Sequence, residues 1–75
     1  MTELAKQVTA IAVNYLGPAA SVFLQRQTKT HLDGLAFADL ERKHLSNLQY
    51  WVRISAGLLI DKEKAKEFSE QISRL

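Results

Sequence analysis

The chain has 75 residues, 47% of them hydrophobic, and carries ten lysines and arginines against eight carboxylates and two histidines, for a net charge of +2. Such a length makes one domain that buries only about 60% of its unfolded surface, and such a composition is too apolar for a disordered segment. The absence of cysteine excludes disulfide staples and thiolate metal sites, and a pI of about 9.2 on so balanced a charge is a weak bias toward anionic partners.

Leu4, Val8, Ile11 and Tyr15 recur at spacings of four, three and four, with Ala5, Ala12 and Leu16 beside them, so the first predicted helix is amphipathic. Thr2 precedes it as an N-cap, and Glu3 suits the positive end of its dipole. Leu16-Gly17-Pro18 then interrupts the pattern without supplying a loop. Proline lacks an amide N–H and has a fixed φ, which suits the first turn of a helix and not its interior. It also disfavours helical geometry at the residue before it, here a glycine that takes positive φ cheaply. One helix is expected to stop at about Leu16 and a second to start at Pro18, with a sharp corner between them.

The second helix has a short apolar side, Ala20, Phe23 and Leu24, followed by a polar and basic stretch from Gln25 to His31. It should fray near Leu32, where Asp33-Gly34 signals a turn. Leu35 to Leu40 reads either as one short turn that plugs the core with Leu35, Phe37 and Leu40, or as the opening of the next helix. In the third helix Leu45, Leu48, Val52, Ser55 and Leu59 mark one face, with Trp51 about 60° from its centre. Tyr50, Ile54 and Leu58 form a second apolar line on its flank, which makes this helix the expected central element. The last helix takes Asp61 as N-cap and Glu63 in its first turn, and Ala65, Phe68, Ile72 and Leu75 form its stripe. Glu70 and Arg74 are spaced for an i, i+4 ion pair worth only a few tenths of a kcal/mol.

No strand-like alternation, internal repeat or linker is present. The expected fold class is all-α: a small irregular or orthogonal four-helix domain spanning residues 1–75, with a Gly-Pro corner between helices 1 and 2. A regular up-down bundle is disfavoured, because its hairpins need connections of roughly two to five residues that Gly17-Pro18 hardly supplies. The N-terminus lacks a basic patch followed by an unbroken apolar stretch, and the longest apolar run, Gly57-Leu58-Leu59-Ile60, is far short of a membrane span. A soluble, cytoplasmic protein with no membrane partner is therefore expected.

Leu16-Gly17-Pro18-Ala19-Ala20 after an amphipathic helix resembles the LGP-A signature of a small, poorly characterised all-helical bacterial family. Leu45-x-x-Leu48-x-x-Trp51-Val52, then Gly57-Leu58-Leu59-Ile60 and a short final helix, fit the same pattern. The resemblance covers most of the chain, but its motifs are helix punctuation and core positions. Members occur alone or attached to signalling proteins such as kinases and response-regulator-like chains, cyanobacterial ones included. The resemblance implies a helical fold and a setting in bacterial signalling, and it brings no catalytic residue.

Two histidines stand near acids: His31 two residues before Asp33, and His44 one helical turn after Glu41. Metal binding needs three or four converging ligands, so His31 is expected to stabilise a helix end and His44 to sit in the first turn of the third helix. Ser46 and Ser55 lack a nucleophile-elbow context, and Ser55, on the core stripe, is expected to bond to the carbonyl one turn back. Neither catalysis nor a cofactor is expected.

The outer face of the third helix is the preferred site. Tyr50, Arg53 and Ile54 would anchor a protein partner of unknown identity, with Lys43 at the rim, in a non-enzymatic interaction module that is a monomer or weak homodimer. The competing structural reading has the first or last helix covering this side, which would make Tyr50 and Ile54 ordinary core. The alternative function is nucleic-acid binding through Arg26, Lys29, Arg42 and Lys43. Asp39 and Glu41 oppose it, since they fall near the start of the supposed recognition helix.

Overall fold

The computed structural model describes residues 1–75 and contains helices and turns with no strand. Helix α1 (Glu3–Leu16) begins where Thr2 adopts an extended backbone and its hydroxyl oxygen accepts the Ala5 N–H at 3.1 Å. That hydroxyl also donates to the Leu40 carbonyl at 2.7 Å, and the Thr2 N–H donates to the Ala38 carbonyl at 2.9 Å. The cap therefore fastens the start of the chain to a segment nearly forty residues on.

At Gly17 the backbone turns to φ 56° and ψ −133°, a conformation that only glycine holds without strain. One 3₁₀ turn, Gly17–Ala19, with Pro18 in its first positions, leads into α2 (Ala20–His31). The expected restart at Pro18 is thus a tight 3₁₀ turn, and α-helical bonding resumes two residues later. Although Gly17 itself leaves helical dihedrals, the 3₁₀ turn joins the two helices with no loop between them, so Glu3–His31 is one helical path and the chain counts three such paths, where four helices were expected. The path is sharply bent all the same. A straight helix of its 29 residues would run about 43 Å, whereas the longest dimension of the molecule is 28 Å. The path also has the length and composition of a membrane span, with a window of mean hydropathy 1.3. Its bend divides it into α-helices of 14 and 12 residues, each shorter than the roughly 20 a straight span requires.

After α2, Asp33 and Gly34 take positive φ, 55° and 77°, and the chain reverses. Two 3₁₀ turns follow, Phe37–Asp39 and Arg42–His44, before α3 (Leu45–Ala56). Residues 35–40 are therefore a separate turn and not the opening of α3; Phe37 and Leu40 are buried and Leu35 half-buried. His44 accordingly lies in the preceding 3₁₀ turn, one residue short of the position expected for it. Helix α4 (Lys62–Ser73) is capped by Asp61, whose Oδ1 accepts the Lys64 N–H at 2.9 Å.

Phe68 of α4 is the hub of the core. It is fully buried, stacks on Tyr15 of α1 at 5.0 Å and tilts against Phe23 of α2 at 6.2 Å. Removing so large a ring from water contributes about 2 kcal/mol or more. Leu48, Val52 and Ala56 of α3 and Ala65 and Ile72 of α4 complete the layer around it.

Two expectations on these last helices fail. Leu59, placed on the core stripe of α3, is 64% exposed, because α3 ends at Ala56 and Leu59 donates to the Ala56 carbonyl in a turn that breaks the period. The Glu70–Arg74 pair does not form, because Arg74 is already the C-cap of α4; the ion pair present is Lys64–Glu67, at 4.0 Å.

Candidate functional site

The short connection Gly57–Asp61 folds α4 back antiparallel to α3. At the far end of this hairpin the Arg42 guanidinium donates to the Leu75 carbonyl at 2.5 Å, next to the negative end of the α4 dipole. The inward stripe of α3 (Leu48, Val52 and Ala56) is buried, so the line half a turn away must face outward. Tyr50 is 56% exposed, Ile54 45% and Leu58 85%. No helix covers this side, so the reading of Tyr50 and Ile54 as core does not hold.

These residues line an open groove of about 560 Å³ between the C-terminal half of α3 and the first turns of α4. Tyr50, Arg53, Ile54, Gly57 and Leu58 come from α3 and the turn that follows it. Lys62, Glu63 and Lys66 come from α4. Tyr50, Arg53 and Ile54 thus lie together, whereas Lys43 is exposed in the 3₁₀ turn at the opposite end of α3 and lies outside the groove. Lys62 and Lys66 were not among the sequence candidates. Their i, i+4 spacing immediately after the Asp61 cap is the signal that could have found them, once the α3–α4 hairpin is recognised.

Scans of protein families, of curated proteins and of solved structures return no match to this chain. What the groove can bind follows from its own chemistry: an apolar line flanked by three cations and one carboxylate.

The four cations of the nucleic-acid alternative are not gathered in the same way. Arg26 and Lys29 are exposed on α2, and Lys29 lines a different groove beside Gln25, Leu35 and Phe37. Arg42 is engaged with Leu75, and Lys43 stands next to it in the turn before α3.

The remaining candidates are absorbed by structural contacts. His31, the last residue of α2, stacks face to face on Trp51 of α3 with ring centroids 3.8 Å apart and an interplanar angle of 3°. Trp51 in turn meets Tyr50 edge-on at 5.2 Å. His44 Nδ1 accepts the Glu41 N–H at 2.9 Å in a reciprocal capping box. Ser55 does not bond one turn back along α3. Its hydroxyl donates across to Gln27 Oε1 of α2 at 2.9 Å, which satisfies a glutamine that is itself buried. No group of three or more His, Asp or Glu side chains converges as a metal would require.

A second cleft, between α1 and α4, contains Asn14, Tyr15, Lys64, Glu67 and Gln71. Tyr15 donates its hydroxyl proton to Glu67 Oε2 at 2.6 Å and accepts from Gln71 Nε2 at 2.9 Å. Burial, and then the Glu67 carboxylate as hydrogen-bond acceptor and as charge, push this phenol up to about 12. A hydroxyl so firmly protonated and doubly partnered is a clamp between helices, not a nucleophile.

Proposed function

We propose that the chain is a non-enzymatic protein-interaction module that docks a partner on the outer face of α3. The observation that carries this reading is the exposure of Tyr50, Ile54 and Leu58 along one line beside Arg53 in a groove. An exposed tyrosine and arginine next to aliphatic side chains is the residue mix that dominates interface energetics. We read the scaffold as four helices, taking the bend at Gly17 as a corner between α1 and α2; the positive φ of that glycine supports this count. The resemblance around Leu16-Gly17-Pro18-Ala19-Ala20 supports a cytoplasmic setting in bacterial signalling.

A photo-crosslinking residue in place of Tyr50, compared with the same residue at Val22, tests the reading in cells. Val22 is equally exposed but lies on α2. A discrete adduct is expected from position 50 only, and Ile54→Asp should abolish it. Adducts of equal yield from both positions, or adducts unaffected by Ile54→Asp, would overturn it. Nucleic-acid binding has less support, since its cations fall on separate parts of the surface.

A further inference from the structure

We propose that the occupant of the α3–α4 groove is an acidic amphipathic helix of a partner protein, an inference that rests on the docking reading above. Charge is the first ground. Of the ionic residues lining the groove, Arg53, Lys62 and Lys66 are cationic and Glu63 alone is anionic. The groove thus holds the same net positive charge, +2, as the entire chain. None of the three cations is consumed internally: the ion pair of the fold is Lys64–Glu67, and no side-chain hydrogen bond uses Arg53, Lys62 or Lys66.

The placement of Lys62 is the second ground. It occupies the first position of α4, where the helix dipole is positive and a cation is disfavoured. The first two turns of α4 also hold the Asp61 cap, Glu63 and Glu67 and so carry no net charge; the i, i+4 pair Lys62 and Lys66 places positive charge on the groove side. A carboxylate laid across the groove meets Lys62 and Lys66 together with Arg53.

Shape selects a helix. Tyr50 and Ile54 stand one helical turn apart on α3, about 6 Å, and Leu58 extends the apolar line into the turn that follows. An amphipathic helix presents matching apolar anchors at i, i+3 or i+4, and i+7 along such a ridge, with its carboxylates on either side. An extended strand has no sheet edge to join, because the fold contains no strand. A nucleic-acid backbone would neutralise the lysines but leave Ile54 and Leu58 uncovered.

The test is a titration of the isotopically labelled full chain with three synthetic peptides, followed by amide chemical shifts. One is a leucine-faced helix with glutamates flanking the apolar stripe, the second replaces those glutamates with lysines, and the third scrambles the acidic sequence. The expected result is saturable shifts at Tyr50, Arg53, Ile54, Leu58, Lys62 and Lys66 with the acidic amphipathic peptide. Its affinity should exceed that of the other two by at least about tenfold, and the double variant Lys62→Glu, Lys66→Glu should reverse the preference. Both lysines are exposed, and circular dichroism of the variant confirms that it remains folded.

Equal binding of the acidic and basic helices at this face overturns the acidic partner and leaves the docking reading standing. Shifts confined to another face overturn both. Concentration-dependent shifts of the same residues without peptide make a second copy the occupant and overturn the proposal. An absence of shifts with every peptide also overturns it, and the crosslinking experiment then decides the docking reading separately.

Discussion

Tyr15 couples proton binding to folding through a single side chain. Its phenol holds the proton to about pH 12 in the folded chain, against an ordinary value of 10.0. Between those values the folded state retains a proton that the unfolded state has released. The stabilisation it provides is therefore complete below pH 10 and is lost as pH rises toward 12. Urea unfolding across that interval should show a falling midpoint, and an ultraviolet titration should resolve one phenol ionising near 12. Glu67→Gln removes the negative charge while keeping an acceptor, so the midpoint should drop but stay above the ordinary value because burial persists. Gly17 offers a second residue-scale test. A Cβ added there meets nothing within 4 Å, so Gly17→Ala carries only the cost of a backbone conformation foreign to alanine. That cost is about 1–3 kcal/mol, measurable by denaturant unfolding.

At the scale of elements, the contact between α2 and α3 is antiparallel and partly polar. Gln27 meets Ser55, and four residues further along α2 His31 meets Trp51, four residues back along α3. Ser55→Ala leaves the buried Gln27 oxygen without its donor and should destabilise the chain by about 1–3 kcal/mol, whereas alanine at exposed Ser46 should change the urea midpoint little. This contact was hidden in the sequence. Gln25 to His31 reads as a solvated basic end, because composition cannot show that the bend at Gly17 presses the same stretch against α3. The caps Thr2 and Asp61, the inward stripes of α1 and α4, and that of α3 short of Leu59 were legible, since each depends on residues within one or two turns. The break at Gly17-Pro18 was legible for the same local reason. The uninterrupted 3₁₀ link across it was not, because it depends on how α2 packs once the corner is made. Tyr50 and Ile54 could be placed on the flank of α3 from periodicity alone. Their exposure could not, since it depends on which side α4 chooses, and Lys62 and Lys66 join them only through that choice.

The whole molecule has little stability to spare. A domain of this length has about 4–11 kcal/mol in total. Phe68→Ala opens a cavity where α1, α2 and α4 meet and should cost about 3–5 kcal/mol, enough to leave much of the chain unfolded in a thermal melt at modest temperature. Arg53, Lys62 and Lys66 lie outside this core and can be exchanged without weakening it. Binding through them should weaken as ionic strength rises, because charges at an exposed rim are screened over about 8 Å at physiological salt. A calorimetric titration of the acidic helix at two salt concentrations measures that loss.

The chain has one tryptophan, and it is wedged between an imidazole behind it and the phenol of the docking face in front. A molecule that settles over Tyr50 and shifts its ring changes the packing against that indole. The protein consequently contains its own optical reporter: the intrinsic emission of Trp51 should change when the groove fills, with no dye attached, and the tilt of a neighbouring ring becomes a signal readable in a cuvette.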